Sequence, residues 1–149
     1  GDNKMILDSE LIFSGTVSSG TWTGQRISAN GDTASTSYVD AKAAGDAFNP
    51  GARIKVLCTS PFVGTGTTIT CILQTDSDSA FGTAVTLISS GAIAKASAVA
   101  KAVLMDAVIP VGVKRYLRML YSADNTFETT GAVFATIVLD TDRTLDKSL

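Results

Sequence analysis

The stretch from Leu73 to Ile93, LQTDSDSAFGTAVTLISSGAI, contains the pattern that decides the fold. Apolar runs rich in Thr, Val and Ile lie on both sides of a Ser- and Asp-rich segment that is closed by Gly82. Short runs of this kind, bounded by Ser, Asp and Gly, are typical of β-strands joined by a turn. The stretch therefore predicts strand, turn and strand.

The polar segment allows three interpretations, because Asp76 and Asp78 stand one residue apart. A calcium loop needs oxygen ligands at alternate positions and a Glu at the twelfth, but the fifth position is Ala80 and the twelfth is Leu87. A catalytic acid pair needs two carboxyl groups on opposite sides of a bond, which a loop does not guarantee. We favour a turn in which Asp and Ser bond local N–H groups and Phe81 folds back as an apolar plug.

The same strand pattern recurs along the chain and predicts eight or nine short strands, which favours an all-β sandwich or barrel. Helical composition is confined to Ala41–Ala47 and Ala92–Lys101. Without a fixed repeat or a linker, we expect one domain over residues 1–149. The predicted strands lie near Ile6–Phe13, Gly20–Ile27, Ser35–Val39, Arg53–Thr59, Thr67–Thr75, Ala84–Ser89, Ala102–Ile109, Lys114–Ser122 and Gly131–Asp140.

Two of the predicted strands, Lys114–Ser122 and Gly131–Asp140, are largely apolar on both faces. A strand with one solvated face alternates apolar and polar residues, and these two do not. The second face must therefore be covered, either by a loop of the same chain or by another subunit. The sequence leaves both alternatives open.

Charge and hydropathy exclude two classes of partner. The chain of 149 residues has a net charge of −2 and no basic stripe, which argues against nucleic-acid binding. It contains no run of 18 apolar residues, so we expect no membrane-spanning helix. We also expect no secretory signal, because the N-terminus lacks a basic segment followed by an apolar one.

The residue types needed for most catalytic sites are scarce. The chain has no histidine and only two cysteines, which argues against a structural zinc site and removes the commonest general base. No GxSxG motif is present, and GTGTT at Gly64–Thr68 lacks the lysine of a phosphate loop, so we interpret it as a hairpin loop. We therefore predict a protein without enzymatic activity, metal or cofactor.

Cys58 and Cys71 are predicted to face the interior, because each shares a strand face with apolar residues. The two strands could be hairpin partners, in which case a disulfide is sterically feasible. The favoured alternative is two buried thiols that behave as small apolar residues.

Four residues are candidates for an interface: Trp22, Arg26, Tyr116 and Arg118. Trp22 could stack on a sugar ring, anchor a subunit contact or lie in the core. Arg118, beside Tyr116 in sequence, is a candidate for a bidentate ion pair across an interface or an ordinary surface arginine.

Four segments in a fixed order carry a family resemblance. They are MILDSELIFS (Met5–Ser14), the Leu73–Ile93 stretch, IPVGVKRYLRMLYS (Ile109–Ser122) and GAVFATIVLD (Gly131–Asp140). Together they resemble the capsid cement, or decoration, proteins of tailed bacteriophages. The resemblance implies a jelly-roll β-sandwich that forms a homotrimer, sits on the outer surface of the virion and clamps neighbouring major capsid subunits. It also implies assembly in the host cytoplasm and no cofactor.

For this function we expect adhesion from the variable segments, namely Gly1–Lys4, Gly15–Gly51 and the tail Thr141–Leu149. The rival prediction is a carbohydrate- or receptor-binding β-sandwich. Its stacking platform would consist of Trp22, Tyr38, Tyr116 and Tyr121.

Overall fold

The computed structural model describes residues 11–27, 30–41, 52–127 and 131–138, and these ranges contain twelve β-strands and the 3-10 helix Lys95–Ser97. Repeated Val, Ile and Thr residues favour extended structure, since their branched side chains pack well on a pleated surface. The strands are β1 (Ile12–Ser14), β2 (Thr16–Ser18), β3 (Thr21–Thr23), β4 (Gln25–Arg26), β5 (Gly31–Ala34), β6 (Val39–Asp40), β7 (Arg53–Ser60), β8 (Thr68–Asp76), β9 (Val85–Ala94), β10 (Val103–Val108), β11 (Tyr116–Ala123) and β12 (Ala132–Val138).

Two antiparallel sheets pack face to face, so the predicted antiparallel β-sandwich is confirmed. The first sheet has the order β1–β12–β7–β10, and β4 also pairs with β12. The second has the order β5–β11–β8–β9, and β6 also pairs with β11. Strands β2 and β3 form a separate two-stranded hairpin.

The core lies between the sheets and is built from alternate residues of each long strand. In β11 the residues from Leu117 to Ala123 alternate strictly between buried and half-buried. Strand β8 alternates in the same way from Ile69 to Leu73. This period of two is the signature of a strand with one face on a core, and it fixes the register of the sheet.

A buried polar network joins the two sheets across the core. The Ser14 hydroxyl in β1 donates to Gln25 Oε1 at 2.7 Å and lies 2.7 Å from the Tyr121 hydroxyl in β11. Gln25 in turn donates from Nε2 to the carbonyl of Ala34 at 2.9 Å. Tyr121 is fully buried, and this network gives its hydroxyl the partner that a buried polar group needs.

Strands β7 and β8 lie in different sheets, although they follow one another in sequence. The two strands are therefore not hairpin partners, and the interpretation of Gly64–Thr68 as a hairpin loop is wrong. The connection between them carries the chain from one sheet to the other. The backbone N–H of Gly66 is held on this path by the carbonyl of Thr126 at 2.9 Å.

The second face of β12 is covered by the chain itself. Phe134, Thr136 and Val138 on that face are all buried. Trp22, from the β2–β3 hairpin, packs on Phe134 with ring centroids 4.6 Å apart. For this strand the loop alternative is confirmed.

The second face of β11 is only partly covered. Tyr116, Arg118 and Leu120 are half-buried on it, and Leu120 stands opposite Ile72 of β8. The two strands that are apolar on both faces thus differ. The β2–β3 hairpin covers the second face of β12, whereas the outer face of β11 keeps accessible apolar surface.

The N-terminal third was predicted least well. Eight or nine strands were expected, and the described residues alone contain twelve. The region from Ile12 to Asp40 is divided into six strands of two to four residues. Short elements with exposed Thr and Ser carry little apolar periodicity, which is why their boundaries were missed.

The remaining predictions concern the two segments of helical composition and the two chain ends. Ala92–Lys101 was expected to have some helical composition, but its first part continues β9 and only Lys95–Ser97 forms a 3-10 turn. Of the segment Ala41–Ala47, whose composition is helical, only Ala41 lies among the described residues. The arm Gly1–Lys4 and the tail Thr141–Leu149 also lie outside them.

Two strands form the edges of the sheets on one side of the sandwich. Within the described ranges, β9 pairs only with β8 and β10 pairs only with β7. Both pairings contain register irregularities, at Thr70–Ile72 and Leu73–Gln74 in β8 and at Val103–Met105 in β10. In β9 the Ser90 hydroxyl bonds the Gly91 carbonyl, and the Gly91 N–H bonds the Ser89 hydroxyl.

Candidate interaction surface

Five residues from three separate parts of the chain meet on the outer face of the second sheet. We call Tyr38, Phe81, Arg115, Tyr116 and Arg118 the aromatic–arginine cluster. Tyr38 immediately precedes β6, and Phe81 lies in the β8–β9 loop. Arg115 immediately precedes β11, and Tyr116 and Arg118 lie at its start. The pairing of β6 and β8 with β11 brings these segments to one end of the sheet.

The β8–β9 loop is held by the carboxylate of Asp76. Its oxygens accept hydrogen bonds from the N–H groups of Asp78 at 3.1 Å and Thr83 at 2.8 Å, and from the Thr83 hydroxyl at 3.3 Å. Asp78 accepts from the N–H of Ala80 at 3.0 Å. The interpretation of this segment as a turn capped by local N–H groups is therefore confirmed.

These contacts also set the ionisation of Asp76. Desolvation alone would raise the pKa of its carboxyl group, since Asp76 is buried. The N–H groups of Thr83, Asp78 and Ser77, together with the Thr83 hydroxyl, outweigh desolvation and lower the pKa below its ordinary value of 3.8. The loop is thus closed around a carboxylate, whose negative charge its hydrogen bonds favour.

Phe81 is the apolar plug that the sequence predicted. Its backbone has a positive φ of 55°, and its N–H bonds the carbonyl of Asp78 at 3.0 Å. The side chain is buried although it lies on the outer face of the sheet. The guanidinium carbon of Arg118 lies 4.7 Å from the centre of its ring, a cation–π contact.

Arg118 is fixed on a second side by its neighbour in β8. Its Nε donates to Gln74 Oε1 at 2.9 Å, and the register of the sheet places these two residues directly opposite. A planar guanidinium that stacks on a ring and bonds an amide has few remaining rotamers. Arg118 is therefore held in one orientation before any partner arrives.

Tyr38 and Tyr116 complete the cluster with Arg115. Their rings meet edge to face at 5.4 Å, and Tyr38 also meets Phe81 at 6.3 Å. Arg115 forms a bidentate ion pair with Asp40, at 2.9 Å from Nε and 3.1 Å from Nη2, and lies over the Tyr116 ring. Tyr38 remains 49% exposed, so it is the most accessible aromatic ring of the cluster.

Comparison with known proteins places this chain in a family. The sequence profile named Bbp16 matches residues 18–137, which is most of the chain. The chain belongs to the Bbp16 family. No curated protein matches the sequence.

The structure places the four interface candidates of this Bbp16-family chain on two different sheets. Tyr116 and Arg118 lie together in the aromatic–arginine cluster. Trp22, in the separate β2–β3 hairpin, is half-buried against Phe134 of the first sheet, and Arg26 in β4 pairs through its backbone with Ala132 of that sheet. The four residues therefore do not form one surface.

The stacking platform of the carbohydrate-binding alternative is not assembled in this Bbp16-family chain. Tyr121 is fully buried in the core, and Trp22 covers Phe134 on the opposite sheet. The remaining pair, Tyr38 and Tyr116, meet at an interplanar angle of 82° and so present no common flat face. A sugar ring stacks on an exposed aromatic face. These tyrosines and Trp22 do not combine into one such face.

Both cysteines are buried, as predicted, and both are free thiols. The Cys58 thiol donates to the carbonyl of Ser60 at 3.0 Å, and burial raises its pKa. Burial also raises the pKa of Cys71 to about 12, opposed by a hydrogen bond involving the Ser90 hydroxyl. Thiols in this state are protonated at neutral pH and react slowly.

Two further observations complete the description of the Bbp16-family chain. In the ranges that the structure covers, no group of three or more Cys, Asp or Glu side chains is arranged to hold a metal ion. No helix in those ranges is long and apolar enough to cross a membrane.

The sequence alone did not reveal the roles of Tyr38, Phe81 and Gln74 in this surface. Phe81 was predicted to be an apolar plug, but its contact with Arg118 was not, because the two residues are 37 positions apart in the sequence. The usable signal was the apolar second face of the strand that carries Tyr116 and Arg118.

Proposed function

We propose that this protein is a structural virion protein, a capsid cement or decoration protein that binds the outer surface of the shell as a homotrimer and clamps neighbouring major capsid subunits. The observation that carries the proposal is the aromatic–arginine cluster beside the half-buried Leu120 and Ile72. Tyr and Arg are enriched at the energetic centres of protein interfaces, where they combine apolar area with hydrogen bonding.

The topology supports the finer assignment to the jelly-roll type. From β7 onward the chain visits the first sheet with β7, β10 and β12 and the second with β8, β9 and β11. Consecutive strands thus lie mostly in opposite sheets, as in a double-sheet jelly roll of two Greek keys. The name of the Bbp16 family also suggests a phage-related protein, in agreement with the resemblance described above.

The proposed mechanism is multivalent attachment by a rigid body. A trimer that bridges several capsid subunits detaches only when all of its contacts open together, because each bound copy keeps the others at high local concentration. The closely packed sandwich supplies the rigidity. The aromatic–arginine cluster supplies one contact, and Gly15–Gly51 and the chain ends supply further contacts.

The decisive experiment measures first the mass of the protein in solution and then its binding to capsid heads. Light scattering on a sizing column should give three times the chain mass of 15.4 kDa, about 46 kDa. The purified protein should then co-sediment with undecorated heads and raise their disruption temperature. A monomer or dimer would contradict the trimer, and absence of binding to the heads would contradict the cement function itself. Tight binding on a glycan array would favour the carbohydrate-binding alternative instead.

A further inference from the structure

Arg118 has hydrogen-bonding capacity that its surroundings do not use. Its Nε is bonded to Gln74 and its guanidinium plane rests on Phe81. Within the described ranges no acceptor bonds either of its two terminal nitrogens. These nitrogens carry four N–H donors in a fixed plane. Arg118 is half-buried, and this open edge distinguishes it from Arg115, whose guanidinium is paired with a carboxylate.

The neighbouring arginine provides an internal contrast. Arg115 is matched by Asp40, which accepts from both Nε and Nη2. The carboxylate of Asp76 is likewise occupied by donors of its own loop. The charges of Arg115 and Asp76 are therefore matched locally, whereas the guanidinium of Arg118 has a neutral amide as its polar partner.

We propose that Arg118 binds the carboxylate of an Asp or Glu side chain on the capsid subunit, with an adjacent apolar side chain of the same subunit packing against Tyr38. This inference rests on the proposed function. A carboxylate matches the open edge in charge and geometry, since it accepts two parallel N–H bonds from an arginine fork. The exposed ring of Tyr38 offers apolar area next to that edge.

The surroundings favour a protein carboxylate over a polyphosphate backbone. Nucleic acid is bound by several basic side chains that act together, and the chain carries a net charge of −2. At this site one arginine is open and the other is paired with Asp40. Stacking on Phe81 lowers the cost of binding, because the guanidinium loses little rotamer freedom when its partner arrives.

The first test asks whether Arg118 recognises a carboxylate, independently of any capsid. Side-chain Nε–H signals of the arginines are followed by NMR while sodium acetate replaces sodium chloride at constant ionic strength. The Arg118 signal should shift saturably, and the Arg115 signal should not, because Asp40 already occupies it. An unchanged Arg118 signal would overturn the inference whatever the heads do.

The second test asks whether this contact is used on the shell. Arg118→Gln should weaken binding to undecorated heads by about 10- to 100-fold, the range expected for loss of a hydrogen-bonded charged pair. Arg118→Lys should bind with intermediate affinity, because it keeps the charge and loses the planar fork. Arg53→Gln, in β7 of the other sheet, is the matched control and should bind like the wild type. Thermal unfolding of each variant checks its fold.

The outcomes separate the inference from the proposed function. If the wild type binds heads and Arg118→Gln binds equally well, the inference is wrong and the cement function stands. If the wild type does not bind heads, the cement function is wrong, and so is the inference that Arg118 binds a capsid carboxylate. A saturable shift with acetate would then show only that Arg118 binds carboxylates. Carbodiimide coupling of the Arg118→Lys variant to heads, followed by mass spectrometry, should identify the paired Asp or Glu.

Discussion

At the scale of single residues, the Ser14–Tyr121 contact shows how one hydrogen bond can connect two sheets. The two residues are 107 positions apart, and their hydroxyl groups meet 2.7 Å from one another in the core. Burial raises the pKa of Tyr121 well above its ordinary value, so the hydroxyl stays protonated and keeps its donor. The network therefore positions β1, an element of only three residues, against the second sheet.

Removal of the Tyr121 hydroxyl should destabilise the fold modestly. We expect Tyr121→Phe to lower the free energy of unfolding by about 1 kcal/mol, the usual net value of one intramolecular hydrogen bond. Ser14 retains Gln25 as a partner, so no polar group is left without a bond. Urea denaturation followed by fluorescence measures the change. Tyr38→Phe, at an exposed position, is the control, and an equal loss in both variants would contradict the role of the network.

At the scale of elements, the β8–β9 loop and the β2–β3 hairpin each cover a sheet from outside. The loop places Phe81 on the outer face of the second sheet, and the hairpin places Trp22 on the outer face of the first. Both are stabilised locally, the loop by the Asp76 carboxylate and the hairpin by its own strand pairing. Apolar residues on an outer face thus serve as sites on which these connections dock.

The β8–β9 loop should make stability depend on pH in the acid range. Because folding lowers the pKa of Asp76, the unfolded state binds more protons, and stability falls as pH drops below 3.8 and through the lower folded value. Asp124, whose pKa is lowered by the Thr67 hydroxyl and by the N–H groups of Thr67 and Thr68, acts in the same direction.

Asp76→Asn should therefore lose stability at neutral pH and show a shallower decline between neutral and strongly acidic solution. Chemical denaturation at a series of pH values measures both effects. An unchanged acid slope in the variant would show that Asp76 does not titrate differently in the folded and unfolded states.

For the β2–β3 hairpin we expect a loss of stability rather than of binding, because Trp22 contacts Phe134 inside the same chain. We expect Trp22→Ala to cost about 2 kcal/mol of stability, less than the ~3–5 kcal/mol of a fully buried aromatic residue. The variant should also bind a hydrophobic dye through the uncovered Phe134, while head binding per folded molecule stays unchanged. Thr21→Ala, in the same strand, is the control. A selective loss of head binding in Trp22→Ala would assign Trp22 to the interface instead.

At the scale of the whole molecule, the two cysteines report on the integrity of the sandwich. They are buried in strands of opposite sheets, so both become accessible when the sheets separate. Labelling by a thiol reagent should be slow in the native protein and rapid in denaturant. The rate should follow the population of the unfolded form, because raised pKa values keep the thiols unreactive before opening. Fast labelling of either thiol under native conditions would contradict this description.

Much of the architecture followed from local periodicity, and its limits have physical causes. The strand predicted at Arg53–Thr59 is found at Arg53–Ser60, since its apolar pattern is strong and continuous. The assignment of β7 and β8 to different sheets was missed, because a short polar connection has the same composition in a hairpin and in a crossover. The contact of Phe81 with Arg118 was missed because it depends on the three-dimensional register of three strands.

The irregular edges of the sheets bear on how copies of this chain can associate with one another. A straight, unpaired strand can recruit another chain and grow into a fibre without end. In β9 the serine hydroxyls already occupy backbone groups around Gly91, and in β10 Asp106 carries a charge that is paired with Arg53 and Lys55 of β7. Such edges disfavour edge-to-edge polymerisation, so the oligomer proposed above would form through the sheet faces, which allow a closed assembly.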